Sequence, residues 1–264
     1  MNTVPLIDSH AHVSTGKFQA DRAEVLGRAR EAGLVAIVDV GCDLASSRAA
    51  LELAAAEPLV WAAAGVHPHE ARHWDAAAPG ALRELLGAPR CVALGEIGLD
   101  FHYDFSPRDV QREAFRAQLR LALELDKPVV LHVREAYPEA LATLDELRHP
   151  RLRGVAHCFT GEAEEARGFV ARGFGVSFSG AVTFKNAHAI QAAARVVPPE
   201  LLLVETDCPY MAPVPLRGKR CEPAFVAHTA RFLAGLRGED EAALRRQTAA
   251  NAVRLLELPL TLPA

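Results

Sequence analysis

The feature that most constrains the fold of this chain is a series of eight short apolar runs, separated by longer segments with helical patterning. Several runs are almost continuously apolar, which is typical of parallel strands covered on both faces by helices. This alternation over 264 residues predicts an α/β fold, and we expect one (β/α)8 barrel domain spanning 1–264. The predicted strands are 4–7, 35–40, 60–66, 91–95, 129–133, 154–157, 175–179 and 201–205.

A doubly wound open sheet is the competing architecture, because it also alternates parallel strands with helices. No Gly-x-Gly-x-x-Gly motif follows the first predicted strand, so the sequence does not support a dinucleotide site there. The clearest predicted helix spans 107–126, with Ser106 as the N-cap and Pro107 in the first helical position. Phe115 and Leu119 lie on one face of this helix and are expected to be buried.

Polar residues collect where the predicted strands end. His10 and His12 follow the first strand, and alternation along an extended chain sends both side chains to the same face. In a barrel the carboxyl ends of the strands meet at one face, and closure against the eighth strand places Asp207 beside this pair. The full set of candidate ligands at strand ends is His10, His12, Glu96, His132, His157 and Asp207. Six such groups are enough for two metal ions with a bridging carboxylate and open positions for water.

Other histidines and cysteines receive simpler interpretations. Surface or structural roles are expected for His69, His73, His102, His149, His188 and His228, which fall in predicted loops or helices. The five cysteines are scattered and odd in number, which favours a reducing compartment, and hence the cytoplasm, without a disulfide framework. Cys158 and Cys208 adjoin candidate ligands and are expected to be small packing residues.

The charge balance limits how a polyanion could bind. With 29 basic and 33 acidic residues the net charge is −4, so a nucleic acid would have to be held by local groups or metal ions. No apolar run is long enough to cross a membrane. No signal peptide is expected at residues 1–5, which lack a basic region followed by an apolar run. Neither a membrane nor an obligate protein partner is expected.

The sequence resembles the TatD family of metal-dependent hydrolases along nearly its whole length. The motifs that carry the resemblance are Asp8-Ser9-His10-Ala11-His12, Gly65-Val66-His67-Pro68-His69, Gly95-Glu96-Ile97-Gly98-Leu99-Asp100, His157-Cys158-Phe159-Thr160-Gly161, Glu205-Thr206-Asp207-Cys208-Pro209 and Arg217-Gly218-Lys219-Arg220. One departure is Cys221-Glu222-Pro223, where the family commonly has Asn-Glu-Pro. A thiol cannot replace both the donor and the acceptor of an amide, so either the anchoring of this loop or its fit to substrate is expected to differ, while no candidate metal ligand is lost.

The resemblance implies a deoxyribonuclease-type enzyme with a two-metal site. It implies that His10, His12 and Asp207 hold one ion, that His132 and His157 hold the other, and that Glu96 bridges them. Asp207 and Glu96 would then be the catalytic residues, with Asp207 accepting a proton from the attacking water. Imidazole ligands favour Zn, Mn, Fe or Co, whereas the family's nuclease activity is usually described with Mg, so the identity of the ions stays open.

We expect a phosphodiesterase that trims single-stranded DNA from its 3′ end. His67, Arg134 and Lys185 are the candidates for phosphate contacts. Two alternatives stay open. The same scaffold could cleave a carboxylic ester or amide, such as an aminoacyl-tRNA bond, or a small cyclic substrate, because Lewis-acid chemistry serves carbonyl and phosphoryl centres alike. The second alternative is that the barrel is a non-catalytic binding module, but the complete set of candidate ligands argues against this.

Overall fold

The computed structural model describes residues 4–262. Within this range eight parallel strands form a single sheet in chain order. They are β1 Leu6–Ala11, β2 Leu34–Val40, β3 Val60–Ala64, β4 Cys91–Asp100, β5 Val129–Arg134, β6 Gly154–Ala156, β7 Gly175–Phe178 and β8 Leu202–Val204. Residues 1–3 and 263–264 lie outside the described range, as do the outer bounds of the predicted domain and part of the segment expected to lack a signal peptide.

The first and last strands meet, so the sheet is a nearly closed barrel. Just beyond the end of β8, the backbone amide of Asp207 donates to the carbonyl of His10 in β1 at 3.0 Å, and the amide of His12 donates to the carbonyl of Cys208 at 2.9 Å. Neighbours in the sheet follow the order of the sequence throughout, whereas a doubly wound sheet reverses its order partway. The predicted (β/α)8 barrel is therefore confirmed.

Helices surround the sheet and cover its apolar side chains. They are α1 Arg22–Glu31, α2 Leu44–Ala56, α3 Ala78–Leu86, α4 Arg108–Leu125, α5 Tyr137–Glu146, α6 Ala163–Val170, α7 His188–Val196, α8 Val226–Arg237 and α9 Glu241–Leu255. Phe115 and Leu119 of α4 are buried, as the periodicity predicted. Side chains of α9 join a separate apolar cluster with residues from β1 to β6 and β8. Among residues 4–262, no helix is both long enough and apolar enough to span a lipid bilayer.

Strand β4 continues to Asp100, well past the predicted end at residue 95. Gly98 makes this possible, because it has a φ of +146° and a β-carbon there would collide with the carbonyl oxygen of His132 on β5. The two strands therefore run close together beside the candidate ligands. The alternation of glycines and acidic residues over 95–100 conceals this extension in the sequence, because it does not resemble a buried strand.

The start of α4 differs from the prediction. Pro107, rather than Ser106, occupies the N-cap position, and no side chain caps the helix. The Ser106 hydroxyl instead donates to the carbonyl of His69 at 2.8 Å and accepts from the amide of Arg72 at 3.0 Å. Ser106 therefore ties the loop after β4 to the loop after β3.

Two buried glutamines of α4 fasten the ends of β3 and β4. Gln118 accepts a hydrogen bond from the amide of Val66 at 2.8 Å and donates to the carbonyl of the same residue at 2.9 Å. Gln111 accepts from the amide of Asp100 at 2.9 Å and donates to its carbonyl at 3.0 Å. Because each amide side chain satisfies both polar groups of one backbone residue, α4 fixes the points from which the site residues project.

Replacing Gln118 with Leu should lower the free energy of unfolding by about 2–3 kcal/mol, because both buried polar groups of Val66 lose their partner. Urea denaturation followed by circular dichroism measures the loss. The matched control is Glu113→Gln, an exposed substitution on the same helix, which should change stability by less than about 0.5 kcal/mol. Equal stabilities of the two variants would contradict the clamping role of Gln118.

Candidate metal centre

A cavity of about 350 Å³ lies at the carboxyl ends of the strands. Most of the predicted site residues line this cavity. They are His12, His67, Glu96, His132, Arg134, His157 and Asp207. His10 is fully buried, with its ring stacked on that of His157 at a centroid distance of 3.7 Å. Lys185 is exposed and does not line the cavity, so the predicted grouping of Lys185 with the other phosphate-binding candidates is not reproduced.

The side chain of Glu96 is the centre of the cluster, and its two oxygens face different histidines. Oε1 lies 2.6 Å from His157 Nε2 and 2.9 Å from His132 Nδ1. Oε2 lies 3.5 Å from His10 Nε2 and 3.9 Å from His12 Nε2. The carboxylate therefore separates two pairs of candidate ligands, each pair facing one of its oxygens, and His67 Nε2 lies 3.4 Å from Oε1 as well.

The pair near β1 also includes the carboxylate of Asp207. His12 Nε2 lies 3.2 Å from His10 Nε2 and 3.4 Å from Asp207 Oδ1. Ligands bound about 2.1 Å from one cation are separated by about this distance, so these atoms fit a shared ion. Asp207 has a left-handed backbone with φ of 55°, an unusual conformation for a residue other than glycine and one that clusters at functional sites.

The outer nitrogens of three imidazoles are held by hydrogen bonds to buried acceptors. The acceptors are the carbonyl of Val40 for His12 Nδ1 at 2.8 Å, Asp100 Oδ2 for His132 Nε2 at 3.0 Å and Glu205 Oε1 for His157 Nδ1 at 3.3 Å. Because a carbonyl or carboxylate accepts, each outer nitrogen carries a proton, so the inner nitrogen is the one that would give up its proton and bind a metal ion. The neutral ring that results is the tautomer that a metal-binding histidine requires.

The carboxylates of the cluster stay ionised despite their burial. Burial opposes ionisation of Glu96, but the nearby imidazoles of His157, His67 and His10 outweigh it and hold its pKa well below the usual value. Burial likewise opposes ionisation of Asp207, and the hydrogen bond from His12 helps to lower its pKa. Carboxylate oxygens and imidazole nitrogens together form a donor set suited to divalent cations, so these residues fit a metal centre.

The structure adds two residues that the sequence did not assign to the site. His69, expected to be a surface or structural residue, lies at the cavity wall with Nε2 2.9 Å from Asp100 Oδ2. Asp100 is fully buried, and its Oδ2 accepts hydrogen bonds from both His69 and His132. A signal was present, because His67 and His69 repeat the His-x-His spacing of the first strand and Asp100 ends the motif that begins at Gly95.

The cysteines near the cluster are neutral thiols. Burial raises the pKa of Cys42, whose Sγ lies 3.8 Å from Glu96 Oε2, and raises that of Cys158 well above its usual value. Cys208 is fully buried and its pKa is likewise raised by burial. A thiolate nucleophile is therefore unsupported, in agreement with the expected packing roles of Cys158 and Cys208.

A parallel barrel with this cluster at its carboxyl face has the fold and site of a metal-dependent hydrolase. A model of the TatD related DNase family matches residues 7–257. The chain belongs to the TatD family, which confirms the resemblance drawn from its motifs.

Relatives agree along the whole chain. It is 40% identical over 255 residues to the 3′-5′ ssDNA/RNA exonuclease TatD of Cronobacter sakazakii, covering 95% of this chain and 97% of that protein. It is 38% identical over 253 residues to the uncharacterized metal-dependent hydrolase YabD of Bacillus subtilis, covering 96% and 99% of the two chains. The crystal structure of YjjV, a TatD homologue from Escherichia coli, has a TM-score of 0.91 at 29% identity and covers 96% of this chain and 98% of its own.

Replacing Asp100 with Asn should weaken metal binding about 10- to 100-fold. Oδ2 of Asp100 faces the two imidazoles, while Oδ1 accepts from the backbone amides of His102 and Tyr103 at 3.0 Å and 2.9 Å. In either orientation an amide NH2 group would face N–H donors, and the tautomer of His132 would no longer be fixed.

Titration calorimetry with Mn²⁺ or Zn²⁺ measures this change. The control is Asp104→Asn, which removes an exposed carboxylate on the same loop that pairs with Arg108 at 2.7 Å. An Asp100→Asn variant with the metal affinity of the parent protein would contradict the orienting role of Asp100.

Proposed function

We propose that this protein is a two-metal phosphodiesterase that removes nucleotides from the 3′ end of single-stranded DNA. The observation that carries the proposal is the position of Glu96, whose two oxygens face separate pairs of imidazoles. Such a carboxylate is suited to bridging two cations. Relatives named 3′-5′ ssDNA/RNA exonuclease support the substrate class and the direction of cutting.

In this proposal His10, His12 and Asp207 hold one ion, His132 and His157 hold the other, and Glu96 is shared. Divalent cations held there would polarise a phosphoryl oxygen and lower the pKa of a water molecule. Imidazole-rich sites favour Zn, Mn or Fe over Mg by ligand softness, and the carboxylates also suit Mg.

Asp207 is the proposed acceptor of the proton released by the attacking water. Its Oδ1 faces His12 at 3.4 Å, its second oxygen is available, and the side chain forms part of the cavity wall. Its lowered pKa keeps it ionised, as a general base must be. Glu96 is only 3% exposed and contributes buried negative charge instead.

His67 and Arg134 are the proposed phosphate contacts. Burial lowers the pKa of His67 to about 4, so at neutral pH its ring is uncharged. Its Nδ1 accepts from the amide of His69 at 3.1 Å, which leaves the proton on Nε2. That nitrogen faces Glu96 Oε1 at 3.4 Å, and a phosphate oxygen in the cavity would compete for its proton. Arg134 lines the cavity and supplies a positive charge, whereas exposed Lys185 is left out of the proposal.

The depth of the cluster supports cutting at a strand end. His10 is fully buried and His157 is 5% exposed, so a phosphate must enter the cavity to reach them. The volume of about 350 Å³ lies near the lower end of the range for small-molecule sites, about 300–1,000 Å³. A single strand can insert a terminal nucleotide into such a space, whereas the regular backbone of a duplex cannot follow it.

A cytoplasmic location is part of the proposal. The five cysteines are free, as expected of a protein in a reducing compartment. In the proposal all six ligands come from a single chain, and no obligate protein partner is proposed.

The Glu96→Gln variant should lose activity by about 100-fold or more, because an amide cannot neutralise two cations. Its metal content, measured by mass spectrometry, should fall, while circular dichroism should show an unchanged fold. The matched control is Glu70→Gln, another carboxylate on the cavity wall, which pairs with His73 at 3.1 Å. Full activity of a folded Glu96→Gln protein at micromolar metal would refute the shared-carboxylate site.

A comparison of DNA substrates tests the reaction itself. A 5′-labelled linear single strand should shorten progressively from its 3′ end, a closed single-stranded circle should persist, and a blunt duplex should be degraded slowly. The Glu96→Gln preparation serves as the control for contaminating nucleases. Rapid loss of circles would contradict cutting from an end. Turnover of an aminoacyl ester or amide without cleavage of any DNA would replace the proposal with the alternative hydrolase function.

A further inference from the structure

We propose that the loop after β4 carries a base-stacking site, in which the rings of Tyr103 and Phe105 receive a nucleobase of the bound strand. This inference rests on the proposed function and deepens it, because it assigns a position where the strand is held beside the metal centre. It concerns the nucleobase, whereas the contacts described above concern the phosphate.

The two rings are unusually exposed for aromatic side chains. Tyr103 is 47% and Phe105 is 56% exposed, and their rings stack with centroids 5.3 Å apart and planes inclined by 21°. The other large apolar side chains exposed within residues 4–262 are Tyr210 and Val214. Two of the four therefore lie on one short loop, so exposed aromatic surface is concentrated there.

The loop that presents the rings is held in place by its backbone. Asp100 Oδ1 accepts from the amide of Tyr103 at 2.9 Å, and Arg72 Nη1 donates to the carbonyl of Phe105 at 3.0 Å. Asp104, which lies between the two aromatic residues in the sequence, forms an ion pair with Arg108 at 2.7 Å. The aromatic surface is thus preorganised, so that binding a base costs little ordering of the loop.

The rings are continuous with the candidate metal centre. Tyr103 lines the same cavity as Glu96. The ring of His69 contacts both aromatic residues, with centroid distances of 5.5 Å to Tyr103 and 4.8 Å to Phe105. His69 in turn is bound to Asp100, which orients His132. A base on these rings therefore lies close to a phosphate placed at the metal centre.

A cation completes the site. The guanidinium of Arg134 lies 4.9 Å from the centre of the Tyr103 ring and, within residues 4–262, makes no ion pair and donates no hydrogen bond. A positive charge next to stacked aromatic rings is the combination by which proteins bind single strands without reading sequence. It can contact a neighbouring phosphate while the rings hold the base.

The size of the patch favours a base over a docked protein. Two half-exposed aromatic side chains offer roughly 200 Å² of surface. A stable protein interface needs about 800 Å² per partner. A single nucleobase, with two flat faces, matches the smaller surface.

The test combines protein variants that lack an aromatic ring with DNA strands that lack one base. Tyr103→Ala and Phe105→Ala are assayed on a linear single strand and on strands with one abasic residue at successive positions from the 3′ end. On the intact strand each variant should raise KM about tenfold, with kcat changed less than about twofold. At one or two positions near the 3′ end, the abasic residue should raise the KM of the parent protein similarly, and the variant should add little further loss.

Three controls make the result decisive. Tyr103→Phe keeps the ring and should reverse the rise in KM that Tyr103→Ala causes. Val214→Ala removes a comparably exposed apolar side chain, 48% exposed and outside the cavity lining, and should leave all KM values unchanged. The abasic scan on the parent protein needs no variant, so it holds even if an alanine variant folds poorly.

Two outcomes overturn the inference while leaving the nuclease intact. One is an unchanged KM for both alanine variants on intact DNA. The other is that the alanine variants and the abasic residues raise KM independently at every position, so that their effects multiply. Independent effects would mean that the aromatic rings contact none of the bases removed. If the parent protein cuts no single strand at all, the proposed function fails and this inference fails with it.

Discussion

A buried carboxylate at the junction of two imidazole pairs is the constraint on which the carboxyl face of this barrel depends. Glu96 is only 3% exposed, and a charge so far from water is unfavourable unless opposing charge or donors surround it. Its neighbours His157 and His132 approach one oxygen within 2.9 Å. Divalent cations, with the imidazoles as ligands, would satisfy this anion and the ionised Asp207 together. The same arrangement explains why a chain with a net charge of −4 could bind a polyanion without a basic surface.

The cluster keeps its geometry because a second set of buried groups holds the imidazoles from behind. Among these buried groups, Asp100 makes contacts with both of its carboxylate oxygens. One of its oxygens accepts from His69 and His132, and the other accepts from the backbone of the loop that carries Tyr103. Gln111 fixes the backbone of Asp100 from α4. A single carboxylate thus sets both the tautomer of a candidate metal ligand and the position of the aromatic rings, which links the metal centre physically to the proposed base site.

The sequence was sufficient to predict the barrel and the meeting of the six candidate ligands. Parallel strands all end at one face, so residues as distant as His10 and Asp207 converge once the strands are identified. The sequence could not predict features that depend on contacts between loops. Ser106 matches an N-cap by residue type, yet its hydroxyl binds the backbone of His69 and Arg72 in the preceding loop. Lys185 was predicted to contact phosphate, yet it is exposed and does not line the cavity.

The family alone does not decide between phosphodiester and carbonyl chemistry, because both use the same type of metal centre. The residues around the candidate metal centre of this chain bear on that choice. A small substrate enclosed by the cavity would contact Tyr103 at its wall, but would leave the ring of Phe105, which does not line the cavity, exposed to water. A strand extends beyond the cavity, so a substrate that continues past the metal centre can contact the ring of Phe105 as well as that of Tyr103. The exposed aromatic loop therefore favours a polymeric substrate over a compact ester or amide, on evidence that is independent of the metal ligands.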